Sequence, residues 1–433
     1  MFVAGLLVLY MSLYTAAAGA ASAVLIRRFR ETGLMLAPAA WVATEYLRGL
    51  LIGGFPWVPL GNAVVTLLPL AQVASLVGVY GLSWLLAMLH ACFALGAIST
   101  GRTRISAGVA ALVIVTGPSL WGAARINEGH LTRAGSPIRV GLIQANIPQE
   151  QKWDPGRAVS IFDRYLTMTR DAVSQGAQFV LWPESSTPFY YEEDPRGAEA
   201  IRRLVRESGT PLLFGSDQVE RDRAGDRYYN AAFMLDQTGA TAAVYRKMYL
   251  VPFGEYVPFK QLLYFVGPLV GGVSDFSRGT VVTMLPVHGH MANTGICYEV
   301  VYPDLMRTAV RTGSELLTTI TNDAWYGTSS APFQHFAMAS MRAIEEGRYL
   351  ARAANTGISG IVDPYGRVLT RTNLFETSVG LGEVRFLQER TVYAKIGDIA
   401  PQAAVLLTLL ALSAARVQRF KASNPRTLEP LNL

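Results

Sequence analysis

Charge and cysteine are scarce in this chain. Asp, Glu, Lys and Arg make up 16% of its 433 residues, against 51% hydrophobic residues, which excludes an ordinary soluble protein. The two cysteines, Cys92 in an apolar segment and Cys297, leave no disulfide framework. Histidine is rare too. His288 and His290 would share one strand face, but without other ligand types at suitable spacing they make no metal site. The net charge of +6 comes without a basic stripe interleaved with aromatics, which excludes nucleic acid as a partner. There is no repeat, no low-complexity tract and no Gly-rich phosphate cradle. The first apolar run, Met1 to Ile26, has no positive charge ahead of it and Arg27, Arg28 and Arg30 behind it. That order is wrong for a signal peptide and right for a membrane helix with its arginines in the cytoplasm.

What remains is a chain in two characters. Residues 1–124 are apolar and predict about four spans: Met1 to Ile26, Gly33 to Ile52, Val79 to Ile98 and Ile105 to Ala123. Each is close to the roughly 20 residues a crossing needs. Ile396 to about Arg416 predicts a fifth, followed by a cytoplasmic tail, 417–433. Arg102 and Arg104, like Arg416, Arg419 and Lys421, alternate with uncharged loops so as to place 136–390 outside the cytoplasm. Within the second span, Glu45 and Arg48 lie on one helical face and can pair, as a functional site or as packing. Gly54-Phe55-Pro56-Trp57 reads as an interfacial loop.

Residues 136–390 have ordinary composition, with strands and helices alternating as in an α/β sheet with helix layers. Strands are expected at Ile138 to Gln144, Gln178 to Trp182, Pro211 to Gly215, Tyr228 to Asp236, Ala240 to Tyr245, Val281 to Val287, Met291 to Ile296 and Leu316 to Thr321. Ile358 to Leu369 reads as a hairpin, and Pro332 to Ala353 as one long helix.

Three features share one layout. Glu184 follows a buried strand in Trp182-Pro183-Glu184, Lys247 follows another, and Cys297 sits at a strand-turn-helix junction. Groups at the carboxyl ends of strands converge in an open α/β sheet. A carboxylate there can take the thiol proton. An ammonium can favour the thiolate and then an oxyanion, with the Tyr298 backbone N–H as a second donor. A small buried hydrophobe is the other common fate of such a cysteine. His288, His290 and His335 are weaker bases, His335 reading as part of a helix face.

These motifs resemble the nitrilase (carbon–nitrogen hydrolase) superfamily. With Thr44-Glu45-Tyr46-Leu47-Arg48-Gly49, Gly54-Phe55-Pro56-Trp57, Gln144-Ala145-Asn146-Ile147-Pro148-Gln149, Lys152-Trp153 and Thr321-Asn322-Asp323-Ala324-Trp325-Tyr326-Gly327, the chain resembles the membrane branch formed by bacterial apolipoprotein N-acyltransferases. The resemblance implies an α-helical transmembrane bundle joined to a nitrilase-like α/β domain, a four-layer αββα sandwich, in the bacterial inner membrane with the catalytic domain periplasmic. It implies further helices ahead of Met1. It also implies ping-pong transfer of an acyl chain from a phospholipid, phosphatidylethanolamine in the family, through a Cys297 thioester to the α-amine of a diacylglyceryl-cysteine apolipoprotein. Glu184 is then the base and acid, Lys247 the oxyanion cation, and Glu255 and Glu299 supporting carboxylates. Trp153, Asn230, Trp325 and Tyr326 are expected to line the lipid site. Tyr256 to Val270 is expected to be a lid or arm at the headgroup layer. No metal or organic cofactor is needed for thioester chemistry, and a monomer is expected. Two other readings stay open: a membrane-tethered amidase hydrolysing a small amide at the same triad, and an inactive scaffold.

Overall fold

The computed structural model describes residues 2–223, 225–252, 254–256 and 275–423. The expected arm therefore lies, beyond Tyr256, outside the described residues. The chain divides into two compact units, Met1–Asn127 with Ile396–Leu433, and Glu128–Lys395.

The first unit is helical: Phe2–Phe29, Glu31–Leu50, Ala74–Ile98, Gly101–Glu128 and, from the far end of the chain, Ile399–Ser423. Among the described residues four helices are long and apolar enough to cross a membrane: Gly5–Phe29, Ala74–Ile98, Gly101–Arg133 and Ile399–Gln418. Glu31–Leu50, expected as a span, falls short in composition. It carries Glu31, Glu45, Arg48 and an internal Pro38, and it packs against Phe2–Phe29, Ala74–Ile98 and Ile399–Ser423. Packed among neighbours, it needs less apolar surface than a lipid-facing helix. Its Gly33 lies against the preceding helix so closely that a Cβ would sit 2.1 Å from the Leu25 carbonyl oxygen. Glu45 and Arg48 both turn to loop backbone: Glu45 accepts from the Leu60 N–H at 2.7 Å and Arg48 donates to the Trp57 carbonyl at 2.9 Å. The pair staples the 54–62 loop to its helix.

The second unit is a sandwich of two six-stranded sheets flanked by helices. One sheet runs Ser378–Phe386, Ser136–Gln144, Phe179–Leu181, Leu212–Asp222, Gly225–Leu235, Thr241–Arg246. The other runs Val368–Arg371, Gly360–Val362, Leu350–Ala354, Leu316–Thr321, His290–Ile296, Leu285–Val287. In each sheet three adjacent strands are parallel and the outer pairings are antiparallel. Leu316–Thr321 is buried at every position, as a strand covered on both faces must be. The amphipathic helices Ala158–Ser174 and Pro195–Ser208 cover the first sheet, whose core includes Tyr165, Trp182, Ile201, Phe214 and Phe233.

Two expectations are corrected. The long helix is Ala331–Glu346 only; Gly347, at φ +62°, ends it in the left-handed conformation, and Leu350–Ala354 is a strand. The alanine-rich run carries an apolar pattern through both elements, but only glycine turns there without a Cβ penalty. The strand expected from Val281 is just Leu285–Val287, which turns back at His288-Gly289 into His290–Ile296.

Candidate functional site

Strand ends from both sheets supply the site. Phe179–Leu181 runs into Trp182, whose buried ring lies against Tyr165 at 5.0 Å and whose Nε1 donates to Thr169 Oγ1 at 2.7 Å. Anchored there, the chain turns at Pro183 and sets Glu184 outside the strand end. The close approach of this segment to the next strand requires Gly215: a Cβ there would lie 2.5 Å from the Ser185 nitrogen and 2.7 Å from the Glu184 Cα.

Glu184 is almost fully buried and fully engaged. Its Oε1 accepts from Asn230 Nδ2 at 2.7 Å and Lys247 Nζ at 3.1 Å; its Oε2 accepts from the Asn322 N–H at 2.9 Å. Lys247, 1% exposed, also donates to Glu255 Oε1 at 2.8 Å. Glu255 in turn accepts from Asn230 Nδ2 at 2.9 Å and, through Oε2, from the Val251 N–H at 2.8 Å. Burial alone would raise Glu184, but the Lys247 and Lys152 ammoniums and the Asn230 amide hold it below its ordinary value. Burial would likewise discharge Lys247, and the carboxylates of Glu184 and Glu255 hold it well above the usual lysine range.

Cys297 follows the His290–Ile296 strand at φ +53° and opens a short 3-10 turn. A non-glycine residue in this region costs on the order of 1–3 kcal/mol and points to a constrained functional turn. Burial, and next the Glu184 charge, push the thiol up, with Lys247 pulling it part of the way back. The resting group is a thiol rather than the thiolate that a helix start would favour, so it needs a base. A carboxylate held ionised within electrostatic reach of a thiol held protonated, beside a fixed ammonium, is equipped for base-assisted nucleophilic attack.

The other expected site residues fall in different places. Glu299, fully buried, makes no hydrogen bond to the Lys247 ammonium; it accepts from Tyr245 Oη at 2.8 Å, the Met248 and Tyr249 N–H groups at 2.6 and 3.1 Å, and the Ile296 N–H at 2.8 Å. It ties the Lys247 segment to the Cys297 turn, and burial pushes it up to about 7. Asn230, expected to line the lipid site, has its amide nitrogen committed to two carboxylates. Tyr298 is buried with its ring edge-on to Tyr302. Trp153 and Trp325 are exposed, at 51% and 72%, and Tyr326 sets its ring edge-on to His335 at 6.1 Å. His288 and His290 are engaged elsewhere, with Gln178 and Glu315.

Four groups enter in roles that the sequence did not assign. Lys152 is buried and donates to the Glu184 carbonyl at 3.1 Å. Asp217, pushed up to about 6 chiefly by burial, accepts from Ser185 Oγ at 2.9 Å. His335 and Asp323 lie fully buried behind Cys297. Lys152 and Asp323 stand inside motifs quoted above, and His335 was weighed there as a weaker base on a helix face; Asp217 carried no signal beyond polarity within a strand.

Two family models match the chain: carbon-nitrogen hydrolase over residues 139–392, and the apolipoprotein N-acyltransferase N-terminal domain over residues 1–92. An apolipoprotein N-acyltransferase of Geobacter metallireducens is 40% identical over 93% of this chain and 78% of its own length. The chain belongs to the apolipoprotein N-acyltransferase family. Another member, from Methylococcus capsulatus, is 35% identical over 98% of this chain and 82% of its own. With four helices among the described residues apolar enough to cross a membrane, this family member is an integral membrane protein and an acyltransferase. Similar solved structures include Nit3 of Saccharomyces cerevisiae, from branch 10 of the nitrilase superfamily (18% identity, 58% of this chain, 93% of that one, TM-score 0.46). An amidase from Nesterenkonia sp. is also similar (22%, 59%, 93%, 0.44).

Proposed function

We propose that the chain moves an acyl group from a phospholipid, phosphatidylethanolamine in the first instance, to the N-terminal α-amine of a diacylglyceryl-cysteine lipoprotein, with Cys297 as the carrier. The observation that carries this reading is the buried constellation of Glu184, Lys247 and Cys297 at the strand ends of a membrane-anchored unit. Glu184 takes the Cys297 proton as Sγ attacks the ester carbonyl carbon. The tetrahedral oxyanion faces Lys247 and the Tyr298 N–H. The carbon–oxygen bond to glycerol then breaks, and Glu184 returns the proton to the lysophospholipid. In the second half, the amine attacks the thioester, Glu184 takes its proton, the carbon–sulfur bond breaks and the thiol is restored.

Glu255 and Asn230 orient Lys247 and Glu184 throughout. Trp153, Trp325 and Tyr326 offer aromatic surface to the lipid chains. A membrane-embedded enzyme meets both lipid substrates without drawing them through water, a need that a small soluble amide would not create. The arginines flanking the apolar helices favour the bacterial inner membrane with residues 128–395 facing the periplasm. The test is transfer in detergent micelles from acyl-labelled phosphatidylethanolamine to a diacylglyceryl-cysteine peptide. The parent chain should label the peptide and Glu184→Gln should lower the rate by at least about 10³-fold, since an amide there cannot take the proton. Equal labelling by both proteins, or by neither, would sink the reading.

A further inference from the structure

His335 stands behind the nucleophile, fully buried on the helix Ala331–Glu346. Its Nε2 lies 3.1 Å from the Cys297 carbonyl oxygen. A carbonyl can only accept, so Nε2 carries the hydrogen and donates it. Around Nδ1, Arg352 Nη2 lies at 3.0 Å and Asp323 Oδ1 at 3.0 Å; Asp323 Oδ2 also accepts from Arg352 at 2.8 Å, and its Oδ1 from Thr321 Oγ1 at 2.9 Å. Burial and then the Arg352 guanidinium hold His335 below its ordinary value, while Asp323 and Arg352 both hold the Nδ1 edge of the ring. The ring is thereby fixed from both sides.

What it fixes is a peptide plane. The Cys297 carbonyl and the Tyr298 N–H belong to one trans peptide unit, in which C=O and N–H point in opposite directions. Holding the oxygen toward His335 aims the Tyr298 N–H the other way and keeps Cys297 in its left-handed conformation, φ +53°. The geometry points to His335, backed by Asp323 and Arg352, as the positioning residue that presents both the thiol and the Tyr298 oxyanion donor for acyl transfer. This inference rests on the reading of Cys297 and Tyr298 given under Proposed function.

The test compares His335→Gln, His335→Asn and His335→Leu with the parent chain. Two rates are read: single-turnover acylation of Cys297 by labelled phosphatidylethanolamine, and alkylation of the same thiol by iodoacetamide, which forms no oxyanion. Thermal midpoints establish folding. The glutamine amide reaches the Cys297 carbonyl and should keep acylation within about tenfold of the parent. Asparagine and leucine should lose about 10²–10³ in acylation, the cost of a misplaced oxyanion donor, while alkylation changes less than about tenfold. Should the leucine variant fail to fold, the asparagine variant carries the comparison, keeping a donor toward Asp323 that falls short of Cys297. Acylation by a folded asparagine or leucine variant within about threefold of the parent overturns the inference. So does a parallel fall of both rates across the series, which would mean general disruption. A parent chain that forms no thioester overturns the functional reading instead and takes this inference with it.

Discussion

Lys247→Met removes a cation that is 1% exposed while keeping most of its stem. In the parent chain Lys247 Nζ neutralises two carboxylates at once, Glu184 at 3.1 Å and Glu255 at 2.8 Å. Without it, the two Oε1 atoms it neutralised share the single Asn230 amide in a buried site. Breaking a buried ion pair by removing one partner costs about 3–5 kcal/mol. For a unit of this size, at roughly 2–4 °C per kcal/mol, the midpoint should fall by about 6–20 °C at pH 8.

The pH dependence reverses as well. In the parent chain Glu184 is held below its ordinary value, so its contribution is present above about pH 4.3 and is lost as pH falls through the lower folded value. In the variant, burial and the facing carboxylate raise one of the two acids. Stability is then greatest at low pH and is lost as pH rises through the raised value. Thermal unfolding in detergent at pH 8 and pH 5.5 should show the deficit shrinking by half or more at the lower pH. Acyl transfer at pH 7 should fall by at least about 10³-fold, since the oxyanion cation and the ionised base are lost together. A midpoint within about 2 °C of the parent at both pH values would refute the reasoning, as would transfer within tenfold.

Other perturbations follow from the same geometry. Gly215→Ala pushes a Cβ against the Ser185 nitrogen and Glu184 Cα; kcat should drop by about 10-fold or more through a displaced base, with the midpoint lowered measurably by calorimetry. Asp217 is raised to about 6, so the parent chain loses stability as pH rises from about 4 to 6; Asp217→Asn should remove that slope, about 1–3 kcal/mol, in denaturation titrations at pH 4 and 8. Glu299→Gln should leave thiol alkylation possible but cost about 2–4 kcal/mol, because an amide cannot accept four hydrogen bonds from the Lys247 and Cys297 segments. Trp325→Ala removes a ring that is 72% exposed; KM for the phospholipid should rise about 3–10-fold with the midpoint unchanged, and an unchanged KM would remove Trp325 from the lipid site.

Much of the fold was legible in the residues. Apolar runs bounded by arginines marked four of the membrane helices, because lipid exposure demands uniform apolarity. Gly33 to Ile52 was read as the second span, since its length and general apolarity resemble one, yet packing among helices lets Glu31–Leu50 keep Glu45 and Arg48. Glu184, Lys247 and Cys297 stood out because each lies within three residues of a strand's end. The holding roles of their neighbours did not. Asn230 lies within a strand and meets Glu184 only through sheet pairing. His335 reaches Cys297 across 38 positions, from a helix whose other inward residues are mostly apolar. Glu299 was legible as a nearby carboxylate, but its partners are backbone N–H groups, which no side-chain pattern announces.

The central claim is that Cys297 carries the acyl group covalently between two lipids. Intact and peptide mass spectrometry after incubation with phosphatidylethanolamine, without acceptor, tests it most directly. The account predicts one acyl mass on the peptide containing Cys297, released by hydroxylamine, absent in Cys297→Ser, and discharged by a diacylglyceryl-cysteine peptide much faster than by water. An acyl group that never attaches, attaches equally to the serine variant, or leaves no faster with the peptide than with water would contradict it.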